Sequence, residues 1–166
     1  MSDGSTFEIR TASATENSPA LFVRPLGHVD DAPVVRRLGD RDCFLGNAAA
    51  ASADCERTFE HVLSLTRRPE SATTHHRPLT DDATNDWTSF AAAADAARRL
   101  LSREGSLLVH CEAGISRSSA VAATALAVAD NRRFVDALHE VQDARPHAVP
   151  HPALHTLGVQ YVAAKQ

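Results

Sequence analysis

Cys111 and Arg117 stand in the run His110-Cys111-Glu112-Ala113-Gly114-Ile115-Ser116-Arg117-Ser118, with five residues between them. If the chain turns between a thiol and a guanidinium so spaced, the intervening N–H groups point inward and make a nest for anion oxygens. Gly114 can adopt the backbone angles that such a turn needs. A helix opening at Arg117 would add its free N–H groups and its dipole to the same hollow. That field stabilises negative charge on the Cys111 sulfur, the form that attacks as a nucleophile. The planar fork of Arg117 fits two phosphoryl oxygens, which a lysine would not reproduce. Nucleophile and oxyanion receptor then coincide, as phosphoryl transfer to sulfur requires.

Such a loop must hang between a buried strand and a helix, and the flanking sequence supplies both. Ser106 to Cys111 reads as a short central strand, apolar on both faces, and a helix follows from about Arg117 to Asn131. Upstream, Val34-Val35 and Cys43-Phe44-Leu45 suit two short strands around a turn at Gly39-Asp40, with Gly46 ending the second. The alanine-rich stretch from Asn47 to about Arg57 has helical propensity, with Asn47 as a cap. Phe59 to Leu65 suits a buried strand, and His75 to Leu79 a short extended piece leading into Asp81-Asp82. A helix is expected over Trp87 to Arg103, capped by Asp86, stopped by Gly105 and anchored in the core by Trp87 and Phe90. Two more helices are expected, from about Phe134 to Ala144 and from Pro152 to Ala163. The sum is an α/β fold: a central mixed or parallel sheet of about four to five strands, flanked by helices. Residues 1–32, rich in Ser, Thr, Asp, Glu and Pro, read as a loosely attached lead-in to a domain over residues 33–166.

Composition narrows the function. The 166 residues fit one domain, and 43% hydrophobic content is enough for a core. A formal charge of −4 argues against general nucleic-acid binding. No apolar run approaches the roughly 18 residues of a membrane helix. Met1 to Thr6 lacks a basic region and an apolar stretch, so a cytoplasmic protein is expected. Cys43, Cys55 and Cys111 are odd in number and widely spread, which fits neither a disulfide scaffold nor a cysteine-type zinc site. His75-His76 would point to opposite faces of an extended segment, and Pro150 and Pro152 break any helix joining His147 to His151 and His155. No metal and no other cofactor is expected.

The segment His110 to Ser118 resembles the signature loop of the cysteine-dependent protein phosphatases, and Ala113 to Ser118 is similar to the dual-specificity branch. Phe44-Leu45-Gly46-Asn47, Pro78-Leu79-Thr80-Asp81 and Arg145-Pro146 followed by Pro150 are similar to that family's early strand, acid loop and C-terminal end. His151 stands where the family often has Asn. The resemblance implies a metal-free reaction in two steps. Cys111 would form a phosphocysteine, and Asp81, rather than Asp82, would act first as acid and then as base. Arg117 and the amides of Glu112, Ala113, Gly114, Ile115 and Ser116 would hold the phosphoryl oxygens. His110 would orient the loop and help keep Cys111 ionised, and Ser118 would stabilise the departing thiolate. The expected partner is a phosphorylated protein, bound in a shallow pocket that takes phosphotyrosine and phosphoserine or phosphothreonine. Two other readings are a rhodanese-type sulfurtransferase and a phosphatase for RNA 5′ ends or another non-protein phosphate.

Overall fold

Five short extended segments pair into one sheet. β1 (Val35–Arg37) and β2 (Cys43–Gly46) are antiparallel, joined through Gly39 at φ +61°. β2, β5 (Leu107–His110), β3 (His61–Ser64) and β4 (His75–His76) run parallel, which sets the order β1-β2-β5-β3-β4. The expected α/β fold is present, with a mixed sheet of five strands and four α-helices among the described residues. The computed structural model describes residues 30–166, so most of the lead-in expected over residues 1–32 lies outside the described residues.

Central β5 is buried at every position, having a strand on each edge and a packed layer on each face. Leu107 and Val109 join Leu45 and Leu63 in the larger core, while Leu108 joins Phe44, Val62, Ala50 and Ala51 in the smaller one. The period of two in a strand divides them in this way. The helices are α1 (Trp87–Leu101), α2 (Arg117–Ala129), α3 (Phe134–Ala144) and α4 (Pro152–Lys165). α2 is buried from Ser118 to Ala127, and the other three helices pack around it. A helix of small apolar residues on every side suits that central place. Among the described residues, no helix is long and apolar enough to cross a membrane.

Two sequence expectations need correction. The helix expected from Asn47 to Arg57 is a single 3-10 turn, Ala48–Ala51. The Ala51 carbonyl accepts the Ala72 N–H at 2.9 Å, and the Ala53 N–H donates to Ser71 Oγ at 2.7 Å. Tertiary partners thus take the backbone groups that would continue the helix. Trp87 is not a core anchor: it opens α1 and is 42% exposed. Tyr161, fully buried, fills that role beside Phe90, with ring centroids 6.5 Å apart.

Asn47 does cap its turn, accepting the Ala50 N–H at 3.1 Å, but its buried amide does more. Its Oδ1 also accepts the Val34 N–H at 2.9 Å, and its Nδ2 donates to the carbonyls of Asp30 and Ala32 at 3.2 and 3.0 Å. The start of the described chain is thereby tied to the end of β2.

Candidate active site

Cys111 follows β5 directly and lies 2% exposed at the root of the loop that leads into α2. The loop can turn there because Gly114 takes φ +67°, where other residues are strained. A Cβ on Gly114 would also sit 2.9 Å from the Gly46 carbonyl, so the turn rests on the backbone at the end of β2. Outside donors hold the loop carbonyls. Ala48 N–H donates to Glu112 O at 3.0 Å, Arg145 Nη2 to Ala113 O at 3.2 Å, and Val149 N–H to Ile115 O at 2.9 Å. In a trans peptide the next N–H points the opposite way, so the amides of Ala113, Gly114 and Ser116 are turned inward. Amides turned in this way are what the nest expected between Cys111 and Arg117 requires.

His110 is fully buried behind the loop. Burial pushes its pKa down to about 4, the Cys111 carbonyl opposing this and the Arg117 charge adding to it. The ring is therefore neutral at neutral pH, with one proton to place. Nδ1 lies 3.1 Å from the Cys111 carbonyl, which can only accept, so Nδ1 carries the hydrogen. Nε2 then accepts from Ser64 Oγ at 2.5 Å, and Ser64 in turn accepts from Thr73 Oγ1 at 2.6 Å. This Thr73–Ser64–His110 relay fixes the Cys111 backbone. Any help that His110 gives the Cys111 sulfur comes through orientation and not through a positive charge.

Ser118, in the first turn of α2, is fully buried, and its Oγ lies 3.1 Å from Cys111 Sγ. Arg117 opens α2 and is half-buried; its Nη1 donates to the Leu79 carbonyl at 3.2 Å. Leu79 is 3% exposed, with its N–H on the Leu65 carbonyl at 3.1 Å, so it anchors the segment after β4 to the core. The following turn is closed by Asn85, whose side chain accepts the Thr80 N–H at 2.8 Å and donates to the Thr80 carbonyl at 2.6 Å.

On that turn the three candidate aspartates part company. Asp81 Oδ1 accepts a hydrogen bond from Ser116 Oγ at 2.5 Å, which places the carboxylate against the loop. Asp82 Oδ1 accepts from Thr80 Oγ1 and the Thr84 N–H, both at 2.8 Å, and from Thr84 Oγ1 at 2.5 Å. The Thr84 hydroxyl, then its N–H and the Thr80 hydroxyl, hold the Asp82 carboxyl below the ordinary range in a fully exposed turn. Asp86 caps α1, accepting the Ser89 N–H at 2.7 Å. Between the turn and Arg117 lies an open cleft of about 420 Å³, lined by Arg67, Leu79, Asp81, Asn85 and Arg117 among others.

The structure brings together Cys111 with Ser118, Ser116 with Asp81, and Asp81 with Arg117 along one cleft, while His110 holds the Cys111 backbone. Sequence reasoning counted Ser116 for its amide alone and missed its hydroxyl. It also passed over Ser64, although a hydroxyl paired across the sheet with His110 is a usable clue. His151 caps α4, accepting the Ala153 N–H at Nδ1 and 3.1 Å, while its own N–H donates to Ser116 Oγ at 2.8 Å. Among the described residues, no group of three or more His, Cys, Asp or Glu side chains is placed to hold a metal ion.

The family model for the dual specificity phosphatase catalytic domain matches residues 43–160. A Dictyostelium discoideum protein, MAP kinase phosphatase with leucine-rich repeats protein 3, is 26% identical over 153 residues, which cover 92% of this chain and 16% of that protein. Mouse dual specificity protein phosphatase 19 is 40% identical over 50 residues, covering 30% of this chain and 23% of that protein. Among solved structures, human DUSP28 superposes with a TM-score of 0.69 at 26% identity, over 80% of this chain and 97% of that one. The chain thus spans only a fraction of the curated relatives' length, but nearly all of a single phosphatase domain.

Proposed function

The chain belongs to the dual specificity phosphatase family, and from that membership we propose that it hydrolyses phosphotyrosine and phosphoserine or phosphothreonine in proteins through a phosphocysteine intermediate. One observation carries the reading. An aspartate from a separate turn, Asp81, is hydrogen-bonded to the same loop that begins with Cys111 and ends with Arg117. That bond supports a reading in which Asp81 serves the group bound by the loop, as a phosphomonoesterase needs.

In the first step the Cys111 sulfur forms a bond to phosphorus and the phosphorus–oxygen bond to the leaving group breaks. Asp81 gives its proton to the departing oxygen. The inward amides and the Arg117 guanidinium take up charge on the three remaining oxygens. In the second step Asp81, now a carboxylate, accepts a proton from the attacking water, and the sulfur–phosphorus bond breaks. The Ser118 hydroxyl, 3.1 Å from the sulfur, can donate to the thiolate as it leaves. The Leu79 carbonyl holds one arm of Arg117, so the guanidinium plane is fixed before substrate arrives.

The test is hydrolysis of nitrophenyl phosphate and of phosphotyrosyl and phosphothreonyl peptides with a metal chelator present. Turnover of all three, abolished by Cys111→Ser, is expected. Activity that needs a divalent ion, or that survives Cys111→Ser, overturns the proposal. Thiosulfate sulfurtransfer run in parallel separates the rhodanese-type alternative, and an RNA 5′-triphosphate the nucleic-acid one.

A further inference from the structure

We propose that Ser116 is a positioning residue that sets the Asp81 carboxyl over the phosphate loop; this rests on Asp81 being the general acid. The side chain of Ser116 is 4% exposed at the junction of loop and α2. Its carbonyl accepts the Ser119 hydroxyl at 2.8 Å and the Ala120 N–H at 3.0 Å, so its backbone belongs to the first turn of α2. Its hydroxyl oxygen accepts the His151 N–H at 2.8 Å. A hydroxyl has one hydrogen to give. Here it points to Asp81 Oδ1, 2.5 Å away.

Three parts of the chain therefore converge on one oxygen: the acid turn, the loop with its helix, and the start of α4. The His151 backbone is fixed independently, because its ring caps α4 through the Ala153 N–H. That leaves Ser116 Oγ little freedom, and the bond transmits its position to Asp81 on the exposed turn. The acid and the phosphoryl group are thus referred to the same rigid loop. A carboxyl displaced by an ångström transfers its proton poorly, whereas attack by the sulfur is unaffected. Asp82, one residue on, has its Oδ1 occupied by Thr80 and Thr84 and receives no such bond in the structure.

The experiment compares an alkyl phosphate, whose leaving group needs a proton, with nitrophenyl phosphate, whose leaving group does not. Ser116→Ala also deprives the His151 N–H of its acceptor, so some loss of stability is expected. The ratio of the two kcat/KM values within one variant does not depend on how much of it is folded, and it excludes the second step, which both substrates share. Ser116→Ala should lower kcat/KM for the alkyl phosphate about tenfold more than for nitrophenyl phosphate. Ser116→Thr, which keeps the hydroxyl, should restore the ratio, and Ser116→Ala added to Asp81→Asn should not change it further. Equal losses on both substrates, with Asp81→Asn still selective, overturn the positioning role and leave the phosphatase reading intact. An Asp81→Asn variant without selective loss overturns the choice of acid, and this proposal with it.

Discussion

The choice between Asp81 and Asp82 turns on which element each carboxylate is bonded to. Asp82 is engaged by Thr80 and Thr84 within its own turn, and these bonds favour its charged form. Asp81 instead faces the loop through Ser116. Asp81→Asn is expected to lower kcat/KM for an alkyl phosphate by about 10²–10⁴-fold, with a much smaller effect on kcat/KM for nitrophenyl phosphate. Asp82→Asn should leave the ratio of the two rates near that of the unaltered protein. Steady-state rates on both substrates check this, and the reverse pattern would exchange the two roles. The order of residues after Pro78 pointed to Asp81, but the hydroxyl from another element that meets it was not legible. Nothing in a serine's type says which way its hydrogen points. The charge state of His110 was likewise hidden, because it depends on complete burial behind the loop.

At the scale of elements, the strand–loop–helix around Cys111 could be read almost residue for residue, since local chemistry specifies it. The alanine-rich stretch after Asn47 could not. Its intrinsic preference for helix, a few tenths of a kcal/mol per residue, yields to hydrogen bonds with residues near Ser71 and Ala72. Trp87 was misplaced for a related reason: periodicity identifies a helix face but not where along the helix the core ends. Two glycines separate packing from catalysis. On α4, a Cβ at Gly158 would lie 2.9 Å from both Thr124 Oγ1 and Phe134 Cδ2. Gly158→Ala should therefore cost about 1–3 kcal/mol by overpacking, despite alanine's better helix propensity, while kcat changes little. At Gly114 the positive φ and the Gly46 carbonyl oppose any side chain inside the phosphate loop itself. Gly114→Ala should instead remove most of the activity. Urea unfolding and kcat measured on both variants test the contrast, and a Gly158→Ala protein as stable as the parent would refute the packing argument.

For the whole molecule, the buried imidazole of His110 links folding to acidity. In the folded protein it resists protonation down to about pH 4, whereas in the unfolded chain it takes up a proton near pH 6.5. Between those values the unfolded state binds more protons, so stability falls as pH falls. The shift corresponds to about 3 kcal/mol, with the loss complete below about pH 4. His75 and His155 have pKa values lowered chiefly by burial, and they push in the same direction. The aspartates held low, such as Asp130 beside Arg41, add their losses at still lower pH. Denaturant unfolding from pH 7 to pH 4 should show a steep decline that flattens in His110→Gln, whose amide does not titrate. An unchanged slope in that variant would mean that His110 is not the group responsible.

Arg145 gives the molecule a mechanical property. Its guanidinium is almost wholly buried and reaches both Asp30, at 3.3 Å, and the Ala113 carbonyl, at 3.2 Å. Asn47 adds a second line, from the carbonyls of Asp30 and Ala32 to the turn beneath Gly114. A pull applied to the chain at Asp30 is therefore felt both at the end of β2, through Asn47, and at the loop carrying Cys111, through Arg145. Tension there would draw on Ala113 from behind and distort the hollow in front. A tether or fused domain joined close to Asp30 therefore needs slack in its linker if the loop is to keep its shape.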